Sequence, residues 1–431
     1  MSKRRMLAIA AAFAAALAPA AQADLNFYTL NYRTGPYANN GIPSADGFAD
    51  YMTLLNERDG GIGGEKVHVE ACEFGYSTEK GLACYEKNAD KGTLAWFPNS
   101  TALAYKIIEL ARESGTPVVT QGYGFAAAAN GEYFPHVFNF PANYWHGAAA
   151  QVRYIKENTP GGNLNGMKIG LVYHNSPYGK EPINTLKALA AREGFEVLYY
   201  PVDHPGKEQR ATWDQIKTDK PDWTLLWGWG EMNPVALRQA KRIKYPMERL
   251  FGVWWSANET DVKKIGRAAD GYKSINFHAV GTEFSAYNDL NEYVYFAGKA
   301  AGQANNLGTS LYNRGLLAAA TAAEAIRIAQ RIHGVSKIDH HMMRDGYEAL
   351  VVDDAMLTRI GLEGFIPPMK LSCKNHLGAG MVAINEWDSR LRGWKQVTDY
   401  YAPETALIDP LIEAYSAGYA QKFGVARRDC K

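Results

Sequence analysis

Two loops rich in hydroxyl, amide and glycine groups carry the first chemical signal in this chain. Asn99, Ser100 and Thr101 follow Trp96-Phe97-Pro98 and open a helical stretch, while Thr120, Gln121, Gly122 and Tyr123 follow Pro117-Val118-Val119. Free N–H groups at a helix start, with hydroxyls beside them, favour an anion. Side by side, the two loops offer a seat for one carboxylate, although Ser100 or Thr101 alone would also serve as an ordinary helix cap. Three later apolar runs end in aromatic residues. Residues 171–173 lead to His174-Asn175-Ser176-Pro177-Tyr178, residues 225–227 to Gly228-Trp229-Gly230-Glu231, and residues 251–253 to Trp254-Trp255-Ser256-Ala257-Asn258-Glu259. Tryptophans at two successive strand ends (Trp227, Trp229, Trp254 and Trp255) suit an aromatic wall around a ligand, with Trp227 equally readable as core.

Bond-breaking chemistry has no comparable signal. There is no G-x-S-x-G elbow, H-E-x-x-H pair, P-loop or G-x-G-x-x-G turn. His340-His341, with Asp345 about one helical turn on, completes no metal signature and reads as a solvated helix start. Asp203 and His204 fall in a proline-containing loop expected at the surface. A binding protein without cofactor or metal is expected, rather than an enzyme.

These residues need a scaffold that brings strand ends together. Strands are predicted at 26–30, 66–71, 93–97 and 117–120, alternating with helices at 45–56, 78–91 and 101–114. Phe48, Tyr51, Met52 and Leu55 give the first of these helices one apolar face. The rhythm restarts after Phe140-Pro141, with helices at 144–156, 181–192 and 234–242 and strands at 168–173, 196–200, 223–227, 250–254 and 271–277. Such alternation predicts parallel sheets covered by helices on both faces, and two series predict an α/β protein of two doubly wound αβα lobes. Open parallel sheets bind ligands beyond the carboxyl ends of their strands, where the residues above fall. The tail departs from the rhythm, with helices predicted over 315–332 and 344–357 and strands at 370–372, 381–387 and 393–397.

The first 23 residues have the form of a secretory leader. Ser2-Lys3-Arg4-Arg5 is basic, residues 6–20 are apolar and alanine-rich, and Ala21-Gln22-Ala23 supplies the small-x-small cut. The apolar run of about 15 residues is shorter than the roughly 20 a membrane anchor needs. The mature chain is therefore expected to begin at Asp24, outside the cytoplasm and without a lipid-bearing Cys at the cut. The twin arginine also fits Tat export, though the general secretory route is expected. Removing Lys3, Arg4 and Arg5 from 46 basic residues leaves 43 against 45 acidic ones, a balance that argues against nucleic-acid binding. The remaining length, about 408 residues, exceeds one ordinary core. Four cysteines in an oxidising compartment read as two disulfides. Three pairings are open, and closeness in sequence favours Cys72 with Cys84 and Cys373 with Cys430.

A set of short motifs runs in order along nearly the whole mature length. They are Thr34-Gly35-Pro36, Asn56-Glu57-Arg58-Asp59-Gly60-Gly61-Ile62-Gly63-Gly64, Asn99-Ser100-Thr101, Tyr178-Gly179 and Leu237-Arg238-Gln239-Ala240. Through them the chain resembles a type I periplasmic solute-binding protein of the branched-chain amino acid ABC transporters. The resemblance implies two lobes joined by a three-segment hinge, about 24–140 plus 281–358 and about 141–280 plus 359–431. They would close over a small molecule in the periplasm and hand it, as a monomer, to an ABC transporter membrane permease. It puts the ligand's carboxylate on Ser100, Thr101 and the 120–123 loop and brings Tyr178 in from the second lobe. Against an ammonium it asks for an acid, with Glu231 and Glu259 as candidates. Trp254-Trp255 stands where relatives carry smaller residues, which favours an aromatic or otherwise apolar carboxylate over an aliphatic amino acid. Tyr32, Tyr37 and Tyr76 are further candidates for the wall, or rim residues. The competing readings are a ligand-sensing module for a membrane receptor and, with less support, an exported α/β hydrolase.

Overall fold

The computed structural model describes residues 25–430, so the leader and its cut lie outside the described residues. The first sheet begins with Leu25–Asn31 (β1) and Val67–Glu73 (β2), parallel from Leu25 opposite Val67 to Asn31 opposite Glu73. Residues 94–96 run along the other edge of β1, with Leu94 N–H donating to the Asn26 carbonyl (2.9 Å). They pass the ladder to Val118–Val119 (β3) through Trp96 N–H and the Pro117 carbonyl (2.7 Å), and β3 pairs in parallel with Val137–Phe138 (β4). The strand expected at 93–97 is thus an extended segment with interrupted pairing. The Thr93 hydroxyl, rather than a carbonyl, takes the Tyr28 N–H (3.2 Å).

Helices Ala38–Arg58 (α1), Thr78–Asn88 (α2) and Thr101–Ser114 (α3) cover this sheet. The first starts seven residues earlier than the apolar pattern predicts, because Gly41, Pro43 and Gly47 look like breakers and are not. Gly47 serves close packing instead. A Cβ there would lie 2.1 Å from the Tyr312 carbonyl, and one on Gly315 would lie 1.9 Å from that of Ser44. Two helices can approach this closely only where glycine stands on both.

Past Tyr144–Glu157 (α4) the chain builds a larger sheet from Lys168–His174 (β5), Glu196–Val202 (β6), Trp223–Trp227 (β7), Leu250–Gly252 (β8) and Lys273–Asn276 (β9), all parallel. The central strands are continuous apolar runs buried on both faces, as a covered parallel sheet requires. Between them run Pro177–Lys180 (α5), Ile183–Glu193 (α6), Arg210–Asp219 (α7), Met232–Arg242 (α8) and Glu259–Lys263 (α9). Ala286–Leu290 (α10) and the alanine-rich Ser310–His333 (α11) then return to pack on α1.

The single helix expected over 344–357 is broken. His340–Glu348 (α12) stops, Val351–Val352 (β10) pairs antiparallel with Met369–Lys370 (β11), and Asp354–Arg359 (α13) starts anew. The cause is Asp353, whose carboxylate caps the new helix at Met356 N–H (2.8 Å). Finally Ala383–Asp388 (β12) and Gly393–Gln396 (β13) complete the large sheet, in the order β13-β12-β9-β8-β7-β5-β6, with β12 antiparallel to β9 and β13 antiparallel to β12. The mixed sheet and flanking helices on both sides make the two-lobed α/β fold.

Of the segment after residue 359, only β12 and β13 join that sheet. Thr405–Phe423 (α14) packs on the short turn Ala126–Ala129, where the Ser416 hydroxyl donates to the Ala127 carbonyl (2.9 Å). Both expected disulfides are present, Cys72 with Cys84 and Cys373 with Cys430, and the second ties down the tail. No helix among the described residues is long and apolar enough to cross a membrane.

Candidate functional site

The carboxyl ends of β1, β3, β5, β7 and β8 converge on one buried aromatic cluster. Its centre is the Gly122 carbonyl, which accepts from both Trp254 Nε1 and Trp255 Nε1 at 3.1 Å. The Trp255 N–H is shared with the Tyr144 hydroxyl (2.7 Å), and Tyr144 stacks on Trp254 with rings 5.4 Å apart. Position 122 needs glycine. Its φ is +82°, and a Cβ would fall 2.8 Å from the Phe277 ring and 3.1 Å from Trp254 Nε1.

The first-sheet loops meet this wall edge-on. Thr101 Oγ1 lies 3.3 Å from the Tyr144 hydroxyl and accepts the Gly124 N–H (3.1 Å). The Tyr32 and Tyr123 hydroxyls are 3.1 Å apart, and the Tyr123 ring sits 4.3 Å from Trp255. Ser100 occupies the cap position of α3 without a side-chain capping bond. The Thr120 hydroxyl is taken up by the Asn139 amide, and Asn99 Nδ2 donates to the Leu30 carbonyl (2.8 Å). Six non-glycine residues have positive φ among those described, and three of them, Tyr76 (+63°), Asn99 (+53°) and Gln121 (+40°), lie at these strand ends. Left-handed backbone costs energy in L-residues, and clustering of that cost is a mark of functional sites.

From the second sheet, Tyr178 packs against Tyr144 (5.5 Å) and donates its hydroxyl to the Gly228 carbonyl (3.0 Å). Trp227 lies behind it, fully buried, with Nε1 on Gln151 Oε1 (3.1 Å). Tyr76 bridges Tyr32 (5.0 Å) and Tyr37 (4.5 Å), so these three tyrosines join the wall at its outer end. The Tyr37 hydroxyl sits between His174 Nε2 (3.0 Å) and His204 Nδ1 and joins the two halves of the chain; His204, expected merely at the surface, is exposed yet tied in. Burial pushes the Tyr32, Tyr76, Tyr144 and Tyr178 hydroxyls well above the usual phenol range, so they act as neutral donors and acceptors.

The two acids stand apart from this wall in their bonding. The buried Glu259 carboxylate accepts from Ser310 N–H (3.0 and 3.2 Å) and Ser310 Oγ (3.0 Å), at the start of α11. Glu231 is half-buried at the start of α8, with no capping bond. Another acid lies closer. Glu181 Oε1 accepts from the Tyr105 hydroxyl (2.7 Å), and a Cβ on Gly124 would lie 2.3 Å from it; burial pushes its pKa up to about 7. No group of three or more His, Cys, Asp or Glu among the described residues is placed to hold a metal, and His340 binds the Ser114 carbonyl (3.0 Å).

Sequence reasoning did not select Tyr144, His174 or Arg314. Tyr144 opens the helix after Phe140-Pro141, and Trp229 stacks on Tyr37 from the loop already noted for its tryptophans. Arg314 had a legible signal, a lone cation on an otherwise small and apolar helical stretch. Together these groups offer recognition chemistry, with neutral hydroxyls and indole N–H groups set among aromatic faces.

Comparison with known proteins gives a consistent placement. The profile of the periplasmic binding protein family matches residues 29–390. No curated protein matches the chain. Among solved structures, one described as an ABC transporter permease from the Pseudomonas fluorescens group is 35% identical with a TM-score of 0.87, covering 95% of this chain and 99% of that one. A branched chain amino acid ABC transporter from Thermus thermophilus with bound valine is 19% identical with a TM-score of 0.75, covering 89% and 97%. A solute binding protein of an ABC transporter from R. palustris, in complex with benzoate, is 17% identical with a TM-score of 0.66, covering 88% and 97%.

Proposed function

Since the chain belongs to the type I periplasmic binding protein family, we propose that it is the extracytoplasmic receptor of an ABC importer. It captures a small carboxylate-bearing ligand between its lobes and passes it unaltered, as a monomer, to a membrane permease. The lobes run over about 24–140 with 281–358 and over 141–280 with about 359–431. The packing of α11 on α1 and of β12 on β9 supports this division, while α14 touches both lobes, at Ala126–Ala129 and at Trp145 and Asn184.

One observation carries the reading. Trp254 and Trp255 meet the 120–123 loop at the Gly122 carbonyl, and Tyr144, on the Trp255 N–H, joins Thr101 on one side to Tyr178 on the other. A ligand enclosed there would be stripped of water on both sides, which strengthens each polar contact it makes. The tryptophan pair supports an aromatic or apolar acid, and relatives of the same fold hold valine and benzoate.

The test is mass spectrometry of the small molecule released when the purified protein is denatured, followed by calorimetry with that compound. Binding without turnover is expected, as is weaker binding by Trp255→Ala and Tyr178→Ala. At about 100 times its dissociation constant the ligand should add roughly 2.7 kcal/mol of stability. Chemical conversion of the compound, or full affinity in both variants, would overturn the assignment.

A further inference from the structure

One buried cation has no ion-pair partner among the described residues. Arg314, on α11, is 2% exposed, and no carboxylate forms an ion pair with it among the described residues. Its Nε–H donates to His278 Nε2 (3.1 Å) and its Nη2 to Asn276 Oδ1 (2.9 Å). The acceptors are themselves held. His278 Nδ1–H donates to the Ala279 carbonyl (2.9 Å), which leaves Nε2 as the lone-pair nitrogen, and Asn276 Oδ1 also takes the Phe277 N–H (3.0 Å). The guanidinium is clamped between Trp255 (4.5 Å) and Phe277 (4.2 Å). Burial pulls its pKa down to about 9, still above neutrality, so the group carries its charge. Nη1 has no partner.

A cavity of about 200 Å³ adjoins it, between the strand ends of the first sheet and helices α1 and α11. Gln121 lines the same cavity. It too is buried, its backbone held at φ +40°, and its Nε2 also has no partner. Two buried donors, one of them charged, therefore border one space with nothing to donate to. Leaving such groups unsatisfied is costly, and a carboxylate would satisfy both. The rest of the wall includes Phe48, Phe97, Val119 and Ala318, an apolar surface for the body of a ligand. None of the residues that line the cavity is acidic, so no opposite charge there awaits an ammonium. Glu259, whose charge Arg314 feels, is occupied by Ser310, and Arg33 at the rim is paired with Asp46 (2.6 Å).

We propose that Arg314 Nη1 and Gln121 Nε2 grip the carboxylate of the transported ligand in this cavity, and that the ligand is a compact apolar acid without an ammonium group. The proposal deepens the transport reading and rests on it. It moves the ligand from the cleft between the lobes to the inner side of the 120–123 loop, into a cavity whose lining residues all belong to the first lobe. Tyr123, which lines the cavity and also packs on Trp255, connects the two regions.

The experiment is calorimetric titration of the full chain with benzoate, phenylacetate and 4-methylpentanoate, each against its neutral amide, and with L-valine. At least one acid should bind, and its amide and L-valine should bind at least ten-fold more weakly. Gln121→Met keeps the volume and removes the donor. It should lose about ten-fold or more in acid affinity, the scale of one charge-assisted hydrogen bond, with an unchanged melting temperature because Gln121 Nε2 bonds nothing in the protein. Arg314→Lys should lose as much or more, because a point charge replaces a planar fork. If the arginine variants do not fold, Gln121→Met decides. An amide bound as tightly as its acid, or full acid affinity in Gln121→Met, overturns the anion grip. In that case a neutral compound captured by wild type and lost by Trp255→Ala would leave the transport reading standing. Failure of every compound to bind, with no small molecule released on denaturation, sinks both.

Discussion

Replacing Glu181 by glutamine should make the protein more stable above neutral pH. The side chain is buried behind the Gly124 loop with its carboxyl on the Tyr105 hydroxyl, and burial outweighs that hydrogen bond to hold its pKa at about 7 instead of 4.5. Between those two values the folded state keeps the proton and the unfolded state has lost it. This contribution to stability is therefore fully present below about pH 4.5 and falls as pH rises to about 7, then stays flat. At about 1.4 kcal/mol per tenfold, the gap is worth roughly 3 kcal/mol. Glutamine copies the shape of the neutral acid and does not titrate. The two proteins should match within about 1 kcal/mol near pH 4 and differ by roughly 3 kcal/mol in favour of Glu181→Gln near pH 8.

Other groups contribute slopes of both signs, so the difference between the two proteins is the quantity to read. Asp261, also held at about 7, acts in the same direction, while His136, His146 and His174, pulled down to about 4 by burial, act in the opposite one. Urea midpoints of both proteins across pH 4 to 8 at constant ionic strength supply that difference. A gap that does not change with pH, or one that grows in favour of wild type, would show that Glu181 enters the fold as an anion and would refute the reasoning.

Gly122→Ala forces an L-residue to φ +82° and a methyl against Phe277. A loss of about 1–2 kcal/mol from backbone strain alone is expected, with weaker ligand binding, checked by thermal melts and calorimetry. Tyr37→Phe removes the hydroxyl between His174 and His204 and should cost about 1–2 kcal/mol in urea unfolding; no change would mean that the bridge does not form in solution. Cys430→Ser opens a cross-link spanning 57 residues and should lower stability by roughly 2–5 kcal/mol in urea unfolding, and a reducing agent, which also opens Cys72–Cys84, should cost wild type at least as much.

The parallel core of the fold was legible because its strands are long apolar runs between turn residues. The strand 223–227 and the helix 101–114 appear with the bounds the pattern predicts. Elements whose buried face is not apolar escaped. In α14 the buried stripe is Ile408, Ile412, Ser416 and Ala420, half of it small or polar, and Pro410 stands inside the helix, where the sequence reads as a break. The short α7 escaped for a different reason, that its apolar face is only two residues, Trp213 and Ile216. Residues at strand ends could be named in advance as candidates, and the structure brings two of them, Tyr178 and Trp254, onto opposite sides of Tyr144. Arg314 could not be placed that way, since its neighbours His278, Asn276 and Trp255 are distant in sequence and its environment exists only after α11 has folded back.

The last strands of the large sheet have a consequence for how the protein is made. β9 pairs on one side with β8 and on the other with β12, which is synthesised only after the chain has left to form α10 through α13 and come back. A chain released early would carry an open strand edge at 273–276 and a bare turn at Ala126–Ala129. Both are invitations to aggregation and proteolysis. β12 and α14 thus close two surfaces that an incomplete chain would leave open.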